Sequence, residues 1–217
     1  MERKRDSERS KQRILDAAET EFAEKGFYGA RVDEIALKAD INKRMIYAYY
    51  TDKENLYKQV LIRVYKRMEC VEEELVSQNL SGTGLIRRII EAYFDFLRNN
   101  QSFVNILMWE NLNQAKYLRE VESSYIERNT LDYFRKKLDE GIAQGMFSKK
   151  VDAGQTVISL ITMCFANFSN QYTLSKMFGV DLTGEALMEQ RKQHTIQVML
   201  AYLNDKNGNE VSADENG

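Results

Sequence analysis

The sequence predicts an all-α protein, and three observations carry that prediction. The 217 residues include no proline, whereas a sandwich or barrel usually spends prolines on its many turns. No segment alternates apolar and polar residues for long enough to make a half-buried strand. Apolar residues recur instead at spacings of three and four along most of the chain, in about nine segments. Hydrophobic residues at 43% and charged residues at 29% are ordinary for a globular protein of this length.

The first segment covers residues 11–26, where Ile14, Leu15, Ala18, Phe22 and Ala23 share a face and Gly26 ends the helix in a left-handed conformation. A short helix follows over 32–39, with Val32, Ile35, Ala36 and Ala39 inward. After Asp40 and Ile41, Asn42 is a good N-cap for a third short helix. Its spacing puts Met45, Ile46 and Tyr49 inward and Lys43, Arg44 and Tyr47 on other faces. Asp52 caps a long helix that keeps its period to about Val76. The polar stretch 77–84, with Gly82 and Gly84, breaks the chain. Helices are then expected over 85–97, over 103–111 with Ser102 as cap, and over 115–144 with an interruption near 122–124 and a stop at Gly145. Asp152 caps a very apolar helix reaching Tyr172, residues 179–184 form a loop, and 185–203 make the last helix. This order divides the chain into 1–50, 51–203 (with 51–76 as a connecting helix) and a disordered acidic tail over 204–217.

Charge and rare residues narrow the function. The net charge is only −2, but residues 1–13 hold six Lys/Arg against three acids, and residues 204–217 hold one Lys against four acids. A basic arm at one end points to an anionic partner there. His194 is the only histidine, which removes most zinc sites and weakens any Ser-His-Asp or Cys-His centre. Cys70 and Cys164 read as two reduced thiols. No metal, no cofactor and no catalytic activity are expected. No apolar run approaches a membrane span and the N-terminus lacks the apolar stretch of a secretory signal, so the expectation is a cytoplasmic protein with no membrane partner.

Three short helices in the first 50 residues, the second and third joined by a tight turn, describe a helix-turn-helix. Such a unit needs a third helix that is apolar inside and cationic or hydrogen-bonding outside, so that it can lie in a major groove. Asn42, Lys43, Arg44 and Tyr47 meet that need, with Arg suited to guanine and Lys to base or phosphate. Arg31, Tyr49 and Lys53 stand at the edges, placed for phosphate oxygens.

The run ILDAAETEFAEKGFYGARVDEIALKADINKRMIYAYYTDKENLYKQVL resembles the DNA-binding domain of the tetracycline-repressor (TetR) family of bacterial transcription regulators. Matching elements include residues 14–18, Phe22, Gly26 and Phe27, Val32, Ile35 and Ala36, Tyr47, and Asp52-Lys53-Glu54 with Leu56. Residues 94–119 resemble a recurring stretch of the family's C-terminal domain. The resemblance implies an all-helical homodimer with an N-terminal helix-turn-helix for a double-stranded DNA operator and a C-terminal domain for a small-molecule effector. It implies repression as the family's usual habit. Three positions depart from the family pattern. Asp40 stands where the turn usually carries Gly, and Asp tolerates the left-handed conformation. Arg31 replaces the usual Ser or Thr cap, at a cost of about 1 kcal/mol. Arg44 replaces a small residue and adds a base-reading side chain.

Among the many aromatic and soft residues between Tyr93 and Tyr172, ordinary core packing accounts for most. A pocket between helices would draw its polar minority and its walls from Trp109, Glu110, Asn113, Tyr125, Asn129, Phe165 and Asn167. Residues 157–168 and the 196–203 stripe carry more apolar surface than one face needs. Paired across a two-fold axis they would form a four-helix interface containing Leu160, Val198 and Leu200. The alternative function class is a helical small-molecule-binding or catalytic protein whose basic helix is incidental. The sequence offers no catalytic constellation for it.

Overall fold

A computed structural model describes residues 2–122, 125 and 129–205, with the backbone alone for 2–5 and 129. Every regular element in it is helical. The α-helices are α1 (Glu2–Gly29), α2 (Val32–Ala39), α3 (Lys43–Tyr50), α4 (Lys53–Ser77), α5 (Gly82–Asn99), α6 (Gln101–Leu112), α7 (Asn129–Ala143), α8 (Ala153–Ser169), α9 (Gln171–Phe178) and α10 (Glu185–Asn204). A 3₁₀ turn covers Leu118–Glu120.

Helix α1 starts nine residues before the apolar period does. Residues 2–10 carry no apolar stripe, so periodicity alone misses them; the Glu8–Lys11 pair at 3.1 Å supports the helix instead. At Gly26 the backbone turns to φ 66°, ψ 178° and kinks the helix. A Cβ there would sit 2.7 Å from the Trp109 indole, so glycine serves both the positive φ and the close approach of α6. The helix expected over 115–144 does not form as one piece. Gln114 and Ala115 take positive φ, the 3₁₀ turn follows, and α7 begins only at Asn129. The apolar helix expected to reach Tyr172 ends at Ser169, and α9 follows it as a separate helix. Ser102 does not cap α6; its hydroxyl donates to Glu19 at 2.5 Å.

The chain forms two compact units that cut across its sequence order. The first comprises Met1–Glu74, Asp95–Arg128 and Phe168–Asn170. Its core holds Ile14, Ala18 and Phe22 of α1, Ile35 of α2, Ile46 of α3, Leu56, Tyr57, Val60 and Leu61 of α4, and Val104 and Ile106 of α6, all buried. The second comprises Leu75–Phe94, Asn129–Asn167 and Gln171–Gly217. Its core holds Leu85, Ile86 and Ile90 of α5, Phe134 and Leu138 of α7, Leu160 and Cys164 of α8, and Ile196, Met199 and Leu203 of α10. Burial pushes the Cys164 thiol up to about 12, which makes it an inert packing group. The acidic tail, from residue 206 onward, lies outside the described residues.

Candidate nucleic-acid interface

Backbone groups shape the turn between α2 and α3, and two carboxylates, Asp40 and Glu21, anchor α2 and this turn to α1. Asp40 ends α2 at φ 49°, ψ 52°, and the next amide, Ile41 N–H, reaches back to the Ala36 carbonyl at 3.0 Å. Arg13 of α1 locks this turn, donating to the Asp40 carbonyl at 3.1 Å and to its carboxylate at 2.8 Å. Asn42 then caps α3 by accepting from Arg44 N–H at 2.9 Å. Glu21 fixes α2 against α1. Its carboxylate is fully buried and accepts from Lys25 at 2.7 Å, Lys38 at 2.8 Å and the Arg31 backbone N–H at 3.4 Å. Burial alone would raise this carboxyl, but the hydrogen bonds from Lys25 and Lys38 outweigh it and hold Glu21 below the usual carboxylate range.

Helix α3 turns Ile46 and Tyr50 inward. The Tyr50 hydroxyl donates to the Lys11 carbonyl at 3.2 Å, and burial pushes its phenol up to about 12, so the donor keeps its proton. Met45 therefore faces outward, contrary to the expectation from spacing, and Tyr49 is half-buried with Lys11 over its ring at 5.8 Å. On an eight-residue helix the inward line through Ile46 and Tyr50 leaves Arg44 and Ala48 diametrically outward, with Met45 and Tyr47 on the two shoulders. Arg44 and Tyr47 are exposed, and their side chains enter no hydrogen bond or salt bridge among the described residues.

The remaining expected DNA contacts are placed as follows. Arg31 is exposed at the N-cap of α2 and, as its residue type requires, makes no side-chain cap. Asn42 is exposed, with its side-chain oxygen engaged in the cap. Lys43 is exposed but paired with Asp33 at 2.8 Å. Lys53 lies half-buried, 4.7 Å over the Phe27 ring, and burial pulls its ammonium below the usual lysine range.

The residues expected around an effector fall into both compact units. In the first unit, Trp109 Nε1 donates to the Ala23 carbonyl at 3.3 Å. Glu110 is buried, accepting from the Tyr57 hydroxyl at 2.9 Å and from Leu118 N–H at 3.0 Å. Asn113 donates to the Trp109 carbonyl at 2.8 Å, and Tyr125 is exposed with Lys66 5.7 Å from its ring. In the second unit, Asn167 accepts from Arg191 at 3.0 Å and donates to the Met163 carbonyl at 2.6 Å, while Phe165 is half-buried. The side chain of Asn129 lies outside the described residues. A shallow groove of about 320 Å³ opens in the first unit, lined by Arg13, Asp16, Ala17, Thr20, Lys38 and Ala39, none of which belongs to the expected set.

Leu160, expected on an outward apolar face, is 3% exposed and belongs to the core of the second unit. The period of α8 presents Ile158 outward instead, 59% exposed, and α10 presents Val198 and Tyr202, with Leu200 half-buried. Sequence reasoning also missed Glu21, whose signal was an acid at an inward position of α1, and the outward Met45 and Ala48.

Two family models match the chain. One, described as bacterial regulatory proteins of the tetR family, covers residues 14–60, and the other, a tetracyclin repressor-like C-terminal domain, covers residues 84–199. Among curated relatives, the transcriptional repressor NicS of Pseudomonas putida is 29% identical over 83% of this chain and 85% of its own length. The repressor SCO4008 of Streptomyces coelicolor is 30% identical over 73% of this chain and 78% of its own. Among solved structures, the regulator SCO4942 of Streptomyces coelicolor superposes with a TM-score of 0.68 at 21% identity, covering 91% of this chain and 99% of that one. The regulator FadR of Bacillus subtilis, solved with stearoyl-CoA, gives 0.66 at 19% identity over 89% and 99%. Among the described residues no helix is long and apolar enough to cross a membrane.

Proposed function

The chain belongs to the TetR family of DNA-binding transcriptional regulators, and on that premise we propose that it is a homodimeric repressor released from a palindromic operator by a small-molecule effector. The observation that carries the DNA half of this reading is the outward surface of α3. It presents an uncommitted guanidinium, Arg44, beside Tyr47 on a capped helix too short to serve as scaffolding. Arg44 reads a guanine edge, while Arg31, Lys43, Tyr49 and Lys53 hold phosphates. Asn42 serves by setting the direction of the first turn.

Repression is supported by two relatives named as repressors, and the effector by the C-terminal match and by the FadR complex with an acyl-CoA. We assign half-buried Phe165 of α8 to contact with an apolar effector. We assign Trp109 and Glu110 a transmitting role, because their hydrogen bonds tie α6 to α1 and α4. A shift of α6 then moves the reading head directly, in addition to the route along α4, and changes the spacing of two α3 helices across a dimer. Exposed Ile158, Val198 and Tyr202, with Leu200, are the residues we assign to the two-fold contact.

Selection of bound sequences from random duplex DNA tests this reading. The expected product is an inverted repeat with half-sites one or more helical turns apart. The logarithm of its binding constant should fall linearly with the logarithm of salt concentration, with a slope of about 0.9 per phosphate contact. Failure to enrich any sequence contradicts it.

A further inference from the structure

The outward surface of α3 is unusually poor in polar groups for a solvent-facing helix. Opposite the buried Ile46–Tyr50 line stand Arg44 and Ala48, and on the shoulders Met45, 38% exposed, and Tyr47, 42% exposed. A surface helix ordinarily puts charged residues there. Here a single cation is accompanied by a thioether, a methyl group and an aromatic ring, and the other cation of the helix, Lys43, is drawn aside by Asp33. No acid lies on α3 to repel a phosphate backbone. Ala48, one turn beyond Arg44 on the same line, has no side chain long enough to hold the helix away from the base edges.

In a major groove the only apolar group offered by the bases is the C5 methyl of thymine. Methionine, unbranched and polarisable, follows such a target without a fixed rotamer. The geometry points to Met45, with Ala48, as the specificity-determining contact for a thymine methyl group close to the guanine read by Arg44. This inference rests on the DNA-reading assignment above and adds the base chemistry of the half-site.

The experiment uses the full chain and the operator enriched from random duplex DNA. Each thymine of a half-site is replaced in turn by deoxyuridine, which deletes the methyl group and leaves every hydrogen-bonding edge intact. At one or two positions the affinity should fall by about fourfold per methyl lost. In Met45→Ala the same replacement should cost less than about twofold, while Lys53→Ala should show the wild-type loss. Circular dichroism confirms that the exposed substitution leaves the helices in place, and the deoxyuridine series with the unaltered protein stands without any variant. An enriched half-site with no thymine near its guanine overturns the inference. So does a series with no sensitive position, or one whose sensitivity persists in Met45→Ala; in all three cases the DNA-reading assignment survives. Failure to enrich any sequence overturns both.

Discussion

Glu21 gathers three donors from three points of the first 38 residues: Lys25 on its own helix, Lys38 on α2, and the Arg31 backbone N–H at the start of α2. Because these bonds favour the charged form, its folded-state pKa lies below the ordinary value near 4.5. The stability it supplies is therefore complete above about pH 4.5, the unfolded value, and is lost as the pH falls through the lower folded value. Urea unfolding from pH 7 to 3 should show a difference between wild type and Glu21→Gln that is constant at neutral pH and shrinks below about 4.5. A constant difference down to pH 3 would count against the carboxylate's role. Asp33 works in the opposite sense, since it holds Lys43 by the salt bridge at 2.8 Å. Releasing that lysine and removing an acid beside the groove, Asp33→Asn should tighten DNA binding on the order of two- to fivefold at low salt, read by fluorescence anisotropy. The cap at Asn42 was legible in the sequence because its signal is local, and the left-handed Asp40 was legible through the family resemblance, whose turn usually carries Gly there. The exchange of Met45 for Tyr50 as the inward residue was not, since an eight-residue helix offers two turns from which to fix a phase, and the Tyr50 hydroxyl found its acceptor 39 residues away.

At the scale of elements, α6 takes its meaning from what it touches. Its sequence, mixing apolar residues with Trp109 and Glu110, reads equally well as a pocket wall or as a buried strut. The partners decide the matter, and they are remote: Ala23 for the indole, Tyr57 and Leu118 for the carboxylate. Phe22, Phe27, Tyr57 and Tyr117 pack their rings around this junction, with Phe27 and Tyr117 centroids 4.3 Å apart. Lys58 ties the Leu118–Glu120 turn to α4 through Glu120 at 2.5 Å. Removing the carboxylate by Glu110→Ala leaves the buried Tyr57 hydroxyl and the Leu118 amide without an acceptor. That should cost about 1–3 kcal/mol in denaturant unfolding. A loss within experimental error would mean that water replaces the carboxylate and that the strut is dispensable. The break after residue 111 was expected, but the delay of the next helix from residue 115 to Asn129 escaped sequence reading, because non-glycine residues, Gln114 and Ala115, occupy positive φ there. The end of α8 escaped it because apolar spacing continues through the Asn170 break.

The whole molecule repeats this division between local and remote information. The first 60 residues follow one continuous pattern of caps, turns and apolar spacing, so local signals locate their short helices, and the resemblance of the whole run names their family. The C-terminal helices were readable as helices, but not in their grouping: α6 belongs with α1–α3 in one compact unit, although α5 begins in the other. Leu160 shows the same limit, since an apolar residue on an apolar helix carries no label saying whether its own core or a partner covers it. What links these scales is the claim that α3 reads DNA through Arg44. Equilibrium binding of wild type and Arg44→Ala to the enriched operator, and to the same operator changed at its guanine, tests that claim most directly. The expected result is a loss of about 1–3 kcal/mol on the intact operator, together with a wild-type discrimination at the guanine that vanishes in the variant. Undiminished affinity with discrimination unchanged would contradict it.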